Sequence, residues 1–482
     1  MLTLLLILIP LGASFLALFF RGEKAKYFAL LASLVNLAVG IYAAIHFQKN
    51  AEVQFGFDYA WVPAFGIAFK AGMDGISLLL VLLTVFLVPL IILSSFRHNY
   101  TNPAAFFALI LLMEAGLVGV FTARDAFLFY VFWEAALIPV YFLAAVWGGE
   151  HRIAVTFKFF IYTIAGSLLM LFGILYLYFQ TPAPHSFDIG AFYNLAVKAS
   201  AQGWLFWCFF IAFAIKMPIF PFHTWQPDTY AVSPTPATML LAGIMLKMGI
   251  YGAIRWLLPV LPEGVGEWGR IALVLSTIGV VYGAALALVQ KDMKRLLAYS
   301  SLGHVGLIAA GVFTLSRYGL QGSMVQMLSH GLTVVGLFFV AEIITRRTNS
   351  REIDHSHGMA HDAPRLAVFF LIVLLGSVAL PLTSGFIGEF LILLALFQKS
   401  AWLAAFAGLS VILGAVYMFS FYRKTMLGEK RSGEKFTDLT FSEMSVFIPI
   451  AIFIFWIGIY PQTFLDLSAP AVDQLLTLIH RK

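Results

Sequence analysis

The chain has 482 residues, 61% hydrophobic and only 11% charged, with a mean hydropathy of +0.91. Soluble domains carry roughly a quarter charged residues, so the composition excludes a soluble fold and points to a polytopic membrane protein. The net charge of +6 calls for no nucleic acid, and the single cysteine, Cys208, excludes an internal disulfide as well as an iron–sulfur or structural zinc site.

Fourteen apolar runs of crossing length follow one another near 2–20, 27–46, 73–95, 104–122, 125–147, 153–179, 203–221, 234–257, 268–289, 293–314, 318–345, 365–398, 401–423 and 443–460. In the first, the charges follow the apolar run, so it reads as a span and not as a signal peptide. The seventh carries "FAIKMPIFPFHTW" (213–225), where Pro218 and Pro221 interrupt the helix directly after Lys216. The twelfth is too long for one straight crossing and contains "LPLTSGF", which reads as a second broken helix. No separate soluble domain is expected, and the stretch "LGEKRSGEKFTDL" (427–439) reads as a solvated loop. Trp61 and Trp204 read as interface anchors.

Loop charge predicts the orientation. Loops after the odd-numbered spans carry seventeen cations, including Arg346, Arg347, Arg351, Lys430, Arg431 and Lys435; the other face carries nine, including Arg481 and Lys482. The odd loops are therefore expected in the cytoplasm and both termini outside. A faint internal echo accompanies this pattern: "ARDAFLFYVFWEA" opens span 5 and "QKDMKRLLAYSSL" opens span 10, and the break in span 7 is answered in span 12. An offset of five spans reverses orientation, as inverted repeats do, and paired broken helices point to an ion site near mid-membrane.

Ionisable residues inside a span are costly, by about 2.5–3.5 kcal/mol on insertion scales, and tend to mark ion pathways. Glu134, Lys216, Lys247, His330 and Glu389 stand out, with His304 as a sixth; they fall on spans 5, 7, 8, 11, 12 and 10. Low dielectric disfavours the charged form of lysine and carboxylate, histidine titrates near neutral pH, and proline breaks free carbonyls and make room for water. Together these features favour a proton relay. The plainer reading of any one of them is a hydrogen bond to a neighbouring helix, and it suits His304 and Glu114 best. Asp74 and Glu342 lie near span ends, where solvation is expected to be cheap.

"MDGISL" (73–78), "FYVFWEAALIPVYFL" (129–143), "IKMPIFPFHTWQPDTY" (215–230), "LLAGIMLKMGIYG" (240–252) and "SGFIGEF" (384–390) resemble the antiporter-like membrane subunits of respiratory complex I, over about residues 70–425. The resemblance implies an all-α fold of fourteen helices. Helices 1–3 (1–100) would precede inverted five-helix repeats at spans 4–8 (104–257) and 9–13 (268–425), with helix 14 and a short tail at 443–482. By the same resemblance, Glu134 and Lys216 match the family's glutamate–lysine pair, Lys247 and His330 its central relay, and Glu389 its terminal residue. His304 and His223 sit at matching positions, and Thr383 has no assigned part. Most sister subunits look to carry lysine where this chain has Glu389.

The resemblance further implies a multi-pass protein of a bacterial cytoplasmic membrane, flanked by two sister subunits of similar fold. NADH, FMN, iron–sulfur clusters and quinone would be bound by other subunits, with no redox chemistry in this chain. Two other readings share these motifs: a subunit of a multi-subunit sodium/proton antiporter, and a subunit of a related membrane hydrogenase or dehydrogenase.

Overall fold

Several spans begin where an acidic or polar side chain takes up the free N–H groups of the first helical turn. Asp74 caps Gly75–Ser94 by accepting from the Ile76 and Ser77 amides, Asp125 caps Ala126–Ala135 through Phe127 and Leu128, and Asp292 caps Met293–Phe313 through Arg295. The computed structural model describes residues 1–355, 357–429 and 436–480. The cations Lys430, Arg431, Lys435, Arg481 and Lys482, and the middle of the 427–439 loop, lie outside the described residues.

Among the described residues, twelve helices are long and apolar enough to cross a membrane: Lys24–His46, Gly75–Arg97, Pro103–Thr122, Ala126–Trp147, Arg152–Gln180, Ala199–Lys216, Thr235–Leu257, Pro262–Leu288, Met293–Phe313, Arg317–Thr348, Ala401–Met426 and Phe441–Ile459. Leu2–Ala17 stands at the place predicted for span 1, and the pair Pro364–Ser377 and Ser384–Lys399 at that for span 12. Span numbers below follow this order. Span 8 is wholly enclosed and span 11 nearly so, whereas spans 2 and 13 keep most of their surface outward. Lys247 and His330 therefore sit on the innermost helices.

Both expected breaks are present. After Lys216, residues 217–225 form turns before a short helix, Gln226–Val232; the Trp225 indole donates to the freed carbonyl of Ile215 at 2.9 Å. In span 12 the Thr383 hydroxyl donates to the carbonyls of Leu380 at 2.6 Å and Leu375 at 3.3 Å. Thr383 thus satisfies backbone groups that a continuous helix would have paired internally. Ala379 and Leu382 in this break take positive φ values of 57° and 73°, a conformation costly for residues with a side chain. A third interruption, unexpected from the sequence, divides span 5 at Ala136, two residues after Glu134. Span 8 contains two π-helical segments, Leu241–Met245 and Ala253–Leu257, on either side of Lys247.

The echo between spans 5 and 10 has a structural counterpart. Asp125 and Asp292 are both N-caps, and each is bridged to the loop that follows the next helix but one. The Ala126 amide donates to Phe187 O and Ile189 to Arg124 O; correspondingly, Met293 donates to Arg351 O and Ile353 to Lys291 O.

Two elements escaped the sequence pattern. Residues 54–73 form an antiparallel hairpin, β1 (Gln54–Val62) and β2 (Ile67–Met73). Its turn ends at Gly66, with φ +63°, where a Cβ would come within 2.1 Å of the His185 carbonyl oxygen, so only glycine fits. The segment expected as a short tail is a helix, Gln462–His480, packed along spans 3 and 11.

Candidate functional site

Glu134 ends the first half of span 5 and Lys216 ends the first half of span 7. The Lys216 ammonium is buried and has no hydrogen-bond partner in the protein; it lies 5.2 Å from the centre of the Trp133 ring. That cation–π contact is a weak substitute for hydration. Glu134 keeps one buried carboxylate oxygen without a partner, and the two residues do not close an ion pair. They face the same region but stand apart.

Lys247 and His330 meet directly. Lys247 Nζ lies 2.8 Å from His330 Nδ1 and donates at 2.7 Å to the Ala242 carbonyl, which the first π-helical segment turns away from the regular ladder. His330 Nε2 lies 3.0 Å from Ser301 Oγ. The His304 ring is centred 5.8 Å from that of His330, and His304 Nδ1 lies 3.3 Å from Glu389 Oε1. Gln326 Nε2 also donates to Glu389, at 3.2 Å.

Two small cavities line this path, each with about 10 Å³ of room for water, roughly one molecule's worth. One touches Ser301, His304 and His330; the other touches His304, Glu389 and Tyr417; and they share Ser300 and Ser377. Ser300 Oγ lies 2.9 Å from the Tyr417 hydroxyl. A hydroxyl both donates and accepts, so the path from Lys247 to Glu389 consists of groups able to pass a proton.

The structure thus joins Lys247, His330, His304 and Glu389 and leaves Glu134 and Lys216 close but unbonded. His223 is separate: it packs in the span 7 break against Tyr282, with ring centres 5.0 Å apart, and its Nδ1 has no partner. Ser301, Gln326 and Tyr417 were not singled out from sequence. Two of them carried a signal, since Gln326 lies four residues before His330 and Ser301 three before His304, positions that share a helix face.

Two expectations are corrected. Asp74 and Glu342 are not cheaply solvated at their span ends. The Asp74 side chain is 3% exposed and pairs with Arg255 at the end of span 8, with Arg124 at 3.9 Å. Burial pushes the Asp74 carboxyl up, but the Arg255 and Arg124 charges and the Ser77 amide outweigh it and hold it below the ordinary value of 3.8. Glu342 is 13% exposed at the carboxylate's side chain and bonded to His98, because the chain after span 3 folds over the end of span 11. Glu114 accepts from Asn36 Nδ2 at 2.7 Å in a fully buried contact between spans 4 and 2.

Residues 123–414 match the family described as NADH:quinone oxidoreductase/Mrp antiporter, TM. The chain is 40% identical to NADH-quinone oxidoreductase subunit M of Rickettsia conorii, over 98% of this chain and 97% of the relative. It is 38% identical to the subunit M of Rhodobacter capsulatus, over 98% and 96%. A chain of the structure of respiratory complex I from Thermus thermophilus with bound NADH superposes with a TM-score of 0.93 at 32% identity, covering 99% of this chain and all of that one. With these relatives matched over nearly their whole length, the chain belongs to the subunit M family of NADH-quinone oxidoreductase.

Proposed function

We propose that the chain is a proton-translocating membrane subunit that works without redox chemistry of its own. Protons move through the buried relay while quinone is reduced on other subunits, which also bind NADH, FMN and the iron–sulfur clusters. The observation that carries this reading is the direct Lys247–His330 contact, continued through hydroxyls and His304 to Glu389. Lysine, histidine and glutamate there are held by groups that can donate or accept, and no fixed counter-ion locks them. Glu134 acts on Lys216 by its charge. When the carboxylate approaches, the ammonium keeps its proton; when it withdraws, the dry surroundings favour release.

Residues 104–257 and 268–425 are assigned as two inverted repeats, following helices 1–3 (1–100) and followed by 443–482; the matched caps and bridges at Asp125 and Asp292 support this division. In the assembled complex, sister subunits of similar fold would flank the chain on both sides. The odd-numbered loops are assigned to the cytoplasm and both termini to the periplasm. A cysteine at Ser350 should then be shielded from an impermeant thiol reagent outside intact cells, and ready labelling would reverse the orientation.

Lys247→Ala tests the relay in the reconstituted complex. Proton uptake and quinone reduction should fall together by about a hundredfold, the usual scale for losing a proton-transfer group. Normal pumping in an assembled Lys247→Ala complex would rule the relay out.

A further inference from the structure

A second cluster of titratable side chains lies at the ends of spans 8, 10 and 11, outside the relay just described. Glu342 on span 11 lies 2.5 Å from His98 Nε2, in the chain after span 3, and accepts from the Thr235 hydroxyl at the start of span 8. Lys294, in the first turn of span 10, is buried, donates to the Ser233 carbonyl at 2.9 Å and acts on Glu342 by its charge. The other charged or titratable groups around these are Tyr100 and Arg346 near Glu342, and Arg351 and Asp292 near Lys294.

The cluster has an outer and an inner side. Outside, His98 is 30% exposed and lines a surface cleft of about 270 Å³ with Glu23, Lys26 and Tyr100. Inside, the cavity that touches His330 and Ser301 is walled by Leu297 and Leu337. Leu297 lies three residues after Lys294 and Leu337 five before Glu342. A layer of about one to one and a half helical turns, roughly 5–8 Å, therefore separates the cluster from the relay cavity. Both leucines are almost fully buried, at 1% and 2% exposure, so this layer is dry.

We propose that His98, Glu342 and Lys294 form the port through which protons enter the Lys247–His330 pair, with Leu297 and Leu337 as the apolar gate that water must bridge for each transfer. This rests on the relay reading above. His98 presents Nε2 to Glu342, leaving Nδ1 for the cleft. One proton taken up at Nδ1 is balanced by one passed from Nε2 to the Glu342 carboxylate, and the ring returns to neutral. The Glu342 carboxyl then releases that proton across the wetted gate toward Ser301 and His330. Lys294 stays in place as the positive charge that stabilises the carboxylate between transfers. A purely structural tie needs a carboxylate and its donors, but not a partly exposed histidine on an open cleft with a cavity at Ser301 and His330 behind it.

The test uses the whole complex in membrane vesicles, with pH varied on the cytoplasmic side and both proton uptake and quinone reduction measured. Glu342→Gln keeps the shape and one acceptor oxygen, so it can hold one of the two contacts, to His98 or to Thr235, while the titratable group is gone. Turnover should fall at both ends of the range, least near pH 6, where protons are plentiful, and by about tenfold near pH 8.5, where delivery limits, at the low end for a lost transfer group. His98→Asn should show the same alkaline loss, and Glu342→Asp should restore most of the activity. A wild-type pH profile in Glu342→Gln, or an equal loss at every pH, would overturn the port. If Lys247→Ala is inactive while Glu342→Gln keeps the wild-type profile, the port alone fails; if Lys247→Ala pumps normally, the relay beneath it fails.

Discussion

The polar groups of spans 4–8 and those of spans 9–13 are arranged in opposite ways. In the earlier half, Lys216 and Glu134 each keep a buried atom without a partner, and the Trp133 ring is centred 5.2 Å from the ammonium. In the later half, His330, Ser301, His304, Gln326 and Glu389 form a chain of contacts between 3.0 and 3.3 Å, apart from the His304–His330 ring packing. An unpaired buried charge is costly, and the cost makes its protonation sensitive to small movements of a neighbour. A bonded network lacks that sensitivity but conducts. On the proposed relay, the contrast teaches that the two halves would divide the work, the first as a switch and the second as a wire, with Lys247 on span 8 at the junction.

Asp74 and Arg255 supply the sharpest test of that division, because they form a closed buried pair where Lys216 and Glu134 form none. If they are a fixed clamp, Asp74→Asn leaves Arg255 uncompensated and should destabilise the chain by about 3–5 kcal/mol, read as a lower melting temperature of the purified complex. Since the folded carboxyl is held below 3.8, the pair's stabilisation is present above the unfolded value and is lost as pH falls below about 4. A stable Asp74→Asn complex that fails to pump would instead place the pair inside the switch.

Lys216→Arg comes next in size. Arginine keeps the positive charge and the ring contact but does not release its proton, so pumping should drop about a hundredfold, as it should in Lys216→Ala. Full pumping with arginine would show Lys216 to be a fixed charge, and the switch would lose its moving part. The smallest effect is expected at Glu389, where neighbours share the task. Glu389→Gln and Glu389→Ala should cut proton uptake by about tenfold and Glu389→Lys by less, with assembly intact in all three. If glutamine outperforms lysine, Glu389 is a hydrogen-bonding anchor and the wire ends before it.

Much of this was legible in the residues. Apolar run lengths located the spans, because a helix must satisfy its backbone inside the bilayer whatever its neighbours are. Pro218 and Pro221 announced one break and "LPLTSG" the other, and the titratable residues were conspicuous against their apolar surroundings. Thr383 was visible, but its work on the Leu375 and Leu380 carbonyls was not, since that depends on how the chain bends after them.

Residue type and hydropathy by themselves determined the helical membrane fold, the two proline- and turn-marked breaks and the candidate carriers, because these follow from local backbone chemistry and the price of charge in lipid. Pairing was decided only by the tertiary structure. Lys247 and His330 lie 83 residues apart in the chain, as Glu342 and His98 lie 244 apart. Asp74 and Glu342 looked solvated because they stand at span ends, and they are largely shielded because Arg255 in one case and the chain after span 3 in the other folds over them. A side chain's own position along a helix sets its depth, but its partners and its access to water are set by whichever helix packs against it.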